Sequence, residues 1–264
     1  MHVLVEVHAG DDPHAVDTIT DRLWVAGAVG VEEQPGVVIG AFEDAATAEA
    51  AATALDGSLR PVEDTTGLDA WRSHAEAITA GPFTVRVPWL DPGPGIDLVI
   101  DPGHTFGSGS HPSTRLALTV LAELIEPGMH VLDLGSGSGV LAIAAARLGA
   151  SVTAVDLDPG SPATIAANAE RNGVADRIES ITADIASVSA TADLTMLNVT
   201  IDIHETVAPG LRGQSLGPLL VAGILAGPQE QRAAAAHGRV IVDRLTEDEW
   251  AVVVLDHGPA PAPS

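Results

Sequence analysis

The chain has 264 residues, with 36 acidic side chains against 12 basic ones, a net charge of −24 and no cysteine. The missing cysteines exclude a disulfide framework, a thiolate metal site and a cysteine nucleophile. Its scattered arginines, without one lysine, argue against nucleic-acid binding, which needs clustered cations.

An apolar content of 46% suits a globular chain that forms one large domain or two modest ones. No apolar run approaches the roughly 20 residues of a membrane helix. The N-terminus MHVLVEVHAGDDPH has neither the basic nor the apolar region of a secretion signal, so a soluble cytoplasmic protein is expected. Such acidity favours a basic partner, or reflects a salt-rich cytoplasm or a GC-rich genome.

Along the chain, Met1–His8 alternates as a strand, and His14–Ala26 has helical spacing with Asp11 or Asp12 as cap. Val37–Phe42 reads as a strand, Ala45–Leu55 as an alanine-rich helix ended by Gly57, and Leu59–Val62 as a short strand. These make a small α/β domain over residues 1–62. Residues 63–90 read as a linker with a short helix, and Pro82–Trp89 as a strand leading into a larger domain over 91–257. From Ile96 onward, short apolar runs alternate with helical segments: His130–Leu134, Ser151–Asp156, Ile178–Thr182, Leu194–Asn198 and Pro218–Gly223. That alternation implies a parallel sheet covered by helices on both faces. Arg239–Asp243 and Trp250–Leu255 read as an antiparallel hairpin, and 258–264 (GPAPAPS) as a disordered tail.

The chemistry centres on Val131–Ile143, VLDLGSGSGVLAI. A strand ends in Asp133; Gly135, Gly137 and Gly139 form a tight turn; a helix follows and offers free N–H groups. Taken singly, such a loop is also an ordinary structural turn. A dinucleotide fingerprint wants glycine at the sixth position, where Val140 stands. Asp133 would repel a pyrophosphate and attract an ammonium or sulfonium group. Asp156, ending the next strand in VTAVDLDP, can accept from both hydroxyls of a ribose. A nucleoside carrying a cationic amino acid instead of phosphates is S-adenosylmethionine. Asp184, after the third strand, is placed to meet the adenine amino group or to cap a turn. Asn198, at the mouth of the fourth strand, can accept from a substrate amine and aim its lone pair at a methyl group; a turn asparagine is the other reading. Asp202, His204 and Glu205 can receive a cationic substrate or form a solvated helix start.

Before the loop, DPGHTFGSGSHPSTRLAL (101–118) suggests a flap at Phe106–Gly109, with Ser113 or Thr114 as the cap of the next helix. His111 and Arg115 fit helix-start and anchoring roles. His104, His111 and Asp101 do not have the spacing of a metal site, and none is expected.

These motifs, with NAERNGV (168–174), LDAWR (68–72), GIL (223–225) and Glu249–Trp250, resemble the PrmA family, methyltransferases of protein eleven of the large ribosomal subunit. The segment FGSGSHPST is the most specific of them. In residues 1–62 the resemblance rests on size and the GAVGV patch (27–31). The resemblance implies a Rossmann-like class I methyltransferase domain joined by a flexible linker to a small ferredoxin-like domain that recognises the substrate. It also implies S-adenosylmethionine as cofactor and methylation of lysine and N-terminal amines on a basic ribosomal protein. By position, the family's cofactor contacts fall on Thr114, Gly135, Asp156 and Asn198. Ser110, Ser113 and Val199–Thr200 depart from the family pattern, the serines keeping a hydroxyl. The rival readings are a class I methyltransferase acting on another amine, or a non-catalytic S-adenosylmethionine-binding module.

Overall fold

The computed structural model describes residues 3–10, 13–28, 30–42, 44–61, 76–101, 109 and 111–257. Asp11, Asp12, most of the expected linker, the flap with Phe106, and the tail lie outside them. The described residues divide into two compact units, one within Met1–Ala75 and one beginning at Glu76.

In the first unit, β1 (Val3–His8), α1 (Pro13–Val25), β2 (Gly30–Gln34), β3 (Val37–Phe42), α2 (Ala45–Leu55) and β4 (Ser58–Pro61) follow in order. The sheet order is β2-β3-β1-β4, antiparallel throughout, the split βαβ arrangement of a ferredoxin-like domain. Alternation in β1 sends Val3, Val5 and Val7 into a core with Leu23, Phe42 and Ala48. Asp44 caps α2 by accepting from Thr47 N–H at 2.8 Å, and Asp56 closes it in the left-handed region at φ 53°. Strand β2 is not foreshadowed by its sequence, because most of its residues are polar and exposed.

The second unit opens with a three-stranded sheet of β5 (Ile78–Ala80), β6 (Phe83–Arg86) and β7 (Ile96–Val99). Strand β5 lies where linker was expected; three residues carry too little pattern to announce a strand. Beyond it come α3 (Pro112–Leu124), β8 (His130–Leu134), α4 (Val140–Arg147), β9 (Ser151–Asp156), α5 (Ser161–Arg171), β10 (Ile178–Thr182), β11 (Leu194–Asn198), α6 (Ile201–Leu211), β12 (Leu219–Leu225), α7 (Pro228–His237), β13 (Val240–Glu247) and β14 (Trp250–Asp256). Their seven strands run β10-β9-β8-β11-β12-β14-β13, parallel except for β14, which is antiparallel to both of its neighbours. One core, with Leu118, Leu121, Ile143 and Met196, packs against α3, α4 and α5; the other, with Leu132, Leu197, Val207 and Leu211, packs against α6. Buried on both faces, the central strands read as continuous apolar runs.

The chain passes from β8 to β9 to β10 on one side and then returns to the other side of β8 as β11. Where the order reverses, the loops after β8 and β11 part and leave a crevice at the carboxyl ends of the strands. This topology brings the glycine loop, Asp156 and Asn198 to one edge.

Candidate functional site

The loop after β8 folds back on β9: the N–H groups of Gly135 and Ser136 donate to Val155 O at 2.8 and 3.2 Å, and Gly139 N–H to Ser136 O at 2.8 Å. Gly135 and Gly139 have φ of 76° and 81°. A Cβ on Gly135 would stand 2.8 Å from Val199 Cγ1, so a side chain is barred by conformation and by space together. Gly137 joins the loop to the second carboxylate, its N–H donating to Asp156 Oδ2 at 2.7 Å, while Asp158 N–H donates to Oδ1 at 2.9 Å. Asp156 is thus oriented by backbone before any ligand arrives, with oxygen lone pairs to spare.

Asp133 lies beneath the loop, 2% exposed, and its Oδ2 has no hydrogen-bond partner among the described residues. Burial, and then the charge of Asp156, push its carboxyl up to about 7. Ser136 Oγ, on the loop itself, is buried and equally without a partner. Orphaned buried groups cost stability and call for an explanation. A cationic ligand on the loop supplies one: it would pair with Asp133, and a carboxylate or amino group on it with Ser136. The residues present therefore fit S-adenosylmethionine.

Asn198 ends β11, and its Nδ2 donates to Thr114 Oγ1 at 3.1 Å, joining residues 84 apart in sequence. Thr114 is 1% exposed in the first turn of α3. The bond commits the amide nitrogen and leaves Oδ1 as the acceptor. Behind Asn198, β12 bulges at Gly223, where φ is 77° and a Cβ would come within 2.5 Å of Val199 O. Asp184, exposed at the same edge, accepts from Ala186 N–H at 2.9 Å through Oδ1 and caps a short 3-10 turn.

Two expectations need correcting. The cap of α3 is His111, whose Nδ1 accepts from Ser113 N–H at 3.3 Å; neither Ser113 nor Thr114 fills that place. Pro112 takes the first helical position, where its missing N–H costs nothing, so the helix begins two or three residues earlier than expected and frees Thr114 for Asn198. His204, expected to face solvent and receive a cation, is fully buried. It falls on the inward stripe of α6 with Ile201, Val207 and Leu211. Its Nε2 donates to Ala222 O at 3.0 Å, so its Nδ1, 3.3 Å from His237 Nε2, is the acceptor of that second bond. Glu205 pairs with Arg232 at 2.8 Å, and Asp202 is solvent-exposed.

The site also uses residues to which the sequence lent no role. Asn168, fully buried on α5, donates from Nδ2 to Asp101 O and Ser138 O and accepts at Oδ1 from Asp101 N–H. Asn172 makes the matching pair of bonds to Val99. Together they tie the segment before the flap to the glycine loop. An asparagine on the apolar face of an amphipathic helix was the available signal.

The family model described as Ribosomal protein L11 methyltransferase (PrmA) matches residues 37–257. The chain belongs to the ribosomal protein L11 methyltransferase family. A family relative of that name in Thermus thermophilus is 38% identical over 249 residues, spanning 92% of this chain and 95% of its own. Another, in Deinococcus radiodurans, is 34% identical over 252 residues, 88% of this chain and 92% of its own. Among solved structures, the ribosomal protein L11 methylase of Lactobacillus delbrueckii subsp. bulgaricus superposes with a TM-score of 0.62 at 28% identity, covering 69% of this chain and 98% of that one. Membership in the L11 methyltransferase family accords with the Rossmann-like sheet and its antiparallel final hairpin.

Proposed function

We propose that this protein transfers methyl groups from S-adenosylmethionine to lysine ε-amino groups and the N-terminal α-amino group of protein eleven of the large ribosomal subunit. The observation that carries the reading is the buried, partnerless Asp133 oxygen under a glycine loop whose neighbour Asp156 is already oriented by two backbone N–H groups. Family membership supports the substrate, and the net charge of −24 suits a basic one.

When bound, the cofactor supplies an electrophilic methyl group on a sulfonium that departs as a neutral thioether. Asp133 would hold its cationic part, Asp156 its ribose and Asp184 its adenine, and Phe106 is assigned to the cofactor site with them. With Nδ2 engaged by Thr114, Asn198 offers Oδ1 to an N–H of the incoming amine and so turns the nitrogen lone pair towards the methyl. Transfer would form the nitrogen–carbon bond at the expense of the carbon–sulfur bond, and the ammonium product would return a proton to solvent. A lysine must first lose a proton, which at pH 7 costs about 4.6 kcal/mol from its pKa of about 10.4. Desolvation beside a cation lowers that cost, and positioning supplies much of the remaining rate. The small N-terminal unit, within residues 1–62, is assigned to substrate recognition.

The test is incubation with purified protein eleven and S-adenosylmethionine, followed by intact-mass spectrometry. Mass gains in steps of one methyl are expected, and Asn198→Ala should lower kcat by about 10²-fold. No gain beside an active control enzyme would refute the reading.

A further inference from the structure

Six of the twelve arginines meet carboxylates among the described residues. Arg60 pairs with Glu6, Arg86 with Asp97, Arg115 with Glu247, Arg171 with Asp101, Arg232 with Glu205 and Arg244 with Glu230. Arg212 and Arg239, like Arg147 and Arg177, donate to backbone carbonyls instead. Among the described residues neither Arg212 nor Arg239 has a carboxylate within ion-pair distance, although acids outnumber bases 36 to 12. Both face one cavity of 340 Å³, which also includes Leu211, Leu216, Leu219, His237 and His257 in its lining. It lies where β12 and β13 begin and β14 ends, the edge of the sheet opposite the glycine loop.

The two guanidinium groups are held in place and not used up. Arg212 donates through Nε and Nη2 to the carbonyls of Ala235 and Ala236 in the last turn of α7, which leaves Nη1 without a partner among the described residues. Arg239 donates through Nη1 to Gly217 O and keeps Nε and Nη2. The charge of Asp256 reaches Arg239, but that carboxylate accepts from His257 N–H and forms no ion pair with the arginine. Burial, then His204, Arg239 and Arg212, push His237 down to about 3, so this ring stays neutral and the arginines carry the positive field.

A guanidinium fork suits carboxylate and phosphate oxygens. The volume falls at the lower end of small-molecule sites, at roughly 300–1,000 Å³, and exceeds what a bare oxyanion fills. Three buried leucines offer surface to an apolar body. We propose that this cavity binds a small organic oxyanion, a carboxylate or a phosphate monoester on an apolar body, through Arg212 and Arg239. The site is separate from the methyl-transfer crevice and does not depend on its chemistry.

Side-chain NMR of the histidines in the full chain tests this, with phenyl phosphate and benzoate as probes and a phenyl-bearing quaternary ammonium as control. Saturable shifts of the His237 and His257 signals with an anion, and none with the cation, are expected. A response to phenyl phosphate alone marks a phosphate-ester site, and one to benzoate a carboxylate site. His257 is exposed and its side chain makes no hydrogen bond among the described residues, so His257→Glu sets a negative charge at the rim without disturbing the fold. That variant and Arg239→Gln should each weaken binding about tenfold. Absence of saturable shifts with both anions up to about 10 mM, or unchanged affinity in both variants, overturns the proposal.

Discussion

Asp133 carries opposite consequences for stability and for binding. Its carboxyl sits at about 7 in the folded chain, above the ordinary 3.8, so folding favours the protonated form and loses stability as pH rises from 3.8 through 7. A cation on the loop favours the ionised form, so binding it expels a proton. Between about pH 5.5 and 7 cofactor affinity should therefore rise with pH, approaching tenfold per unit at the acid end. Asp133→Asn should raise the unfolding temperature at pH 7 while abolishing that pH dependence and weakening binding; calorimetric titration and thermal denaturation read both. An asparagine that destabilised the fold and left affinity intact would contradict this account. The stability cost is the kind that functional sites retain.

At the scale of elements, the final hairpin holds the start of α3. Strand β13 runs to Glu247 and β14 begins at Trp250, with Asp248 in the left-handed region at φ 51°. Trp250 stands edge-on to His111, ring centroids 4.5 Å apart at 78°, and Arg115 pairs with Glu247 at 2.9 Å. These contacts grip the turn that carries Thr114, and through it Asn198. Trp250 is 8% exposed, so Trp250→Ala should cost about 3–5 kcal/mol, with kcat falling more than cofactor affinity. Trp250→Phe should recover most of the activity. Glu247→Ala removes a pair whose partners are 28% and 43% exposed, and should cost less than about 1 kcal/mol by denaturant unfolding. A larger loss in the glutamate variant than in the tryptophan one would reverse this ranking.

Across the whole molecule, acid sensitivity should follow the His204–His237 pair. Burial lowers His204 to about 4 and His237 to about 3, both below the ordinary 6.5. Their contribution is complete above 6.5 and is lost as pH falls through the folded values, at up to about 1.4 kcal/mol per unit for each ring. Asp133 works against this and regains stability over part of the same window, so the net slope is that of about one ring. His204→Asn keeps a donor for Ala222 O and removes one titration; its stability should vary less between pH 6.5 and 4 in urea melts. An unchanged slope would exclude the pair as the cause.

Much of this fold was legible in the chain before folding. Val37–Phe42, Ala45–Leu55, His130–Leu134, Ser151–Asp156 and Leu194–Asn198 stand within their expected limits, because apolar period and glycine breaks act over a few residues. The glycine loop and Asp156 were legible for the same reason: a strand, a tight turn and the next strand's end fix them locally. Strands β2 and β5 were not, since pairing with neighbours, and not their own pattern, makes them strands. Nor was the partner of Asn198, which lies 84 residues away, nor the burial of His204, which depends on the face of α6 that turns inward. The sequence by itself determined the family, most of the elements and the glycine loop with its flanking carboxylates. Only the tertiary structure decided which polar groups pair and which stay orphaned, because burial and long-range hydrogen bonds exist only once the strands are ordered as β10-β9-β8-β11-β12-β14-β13.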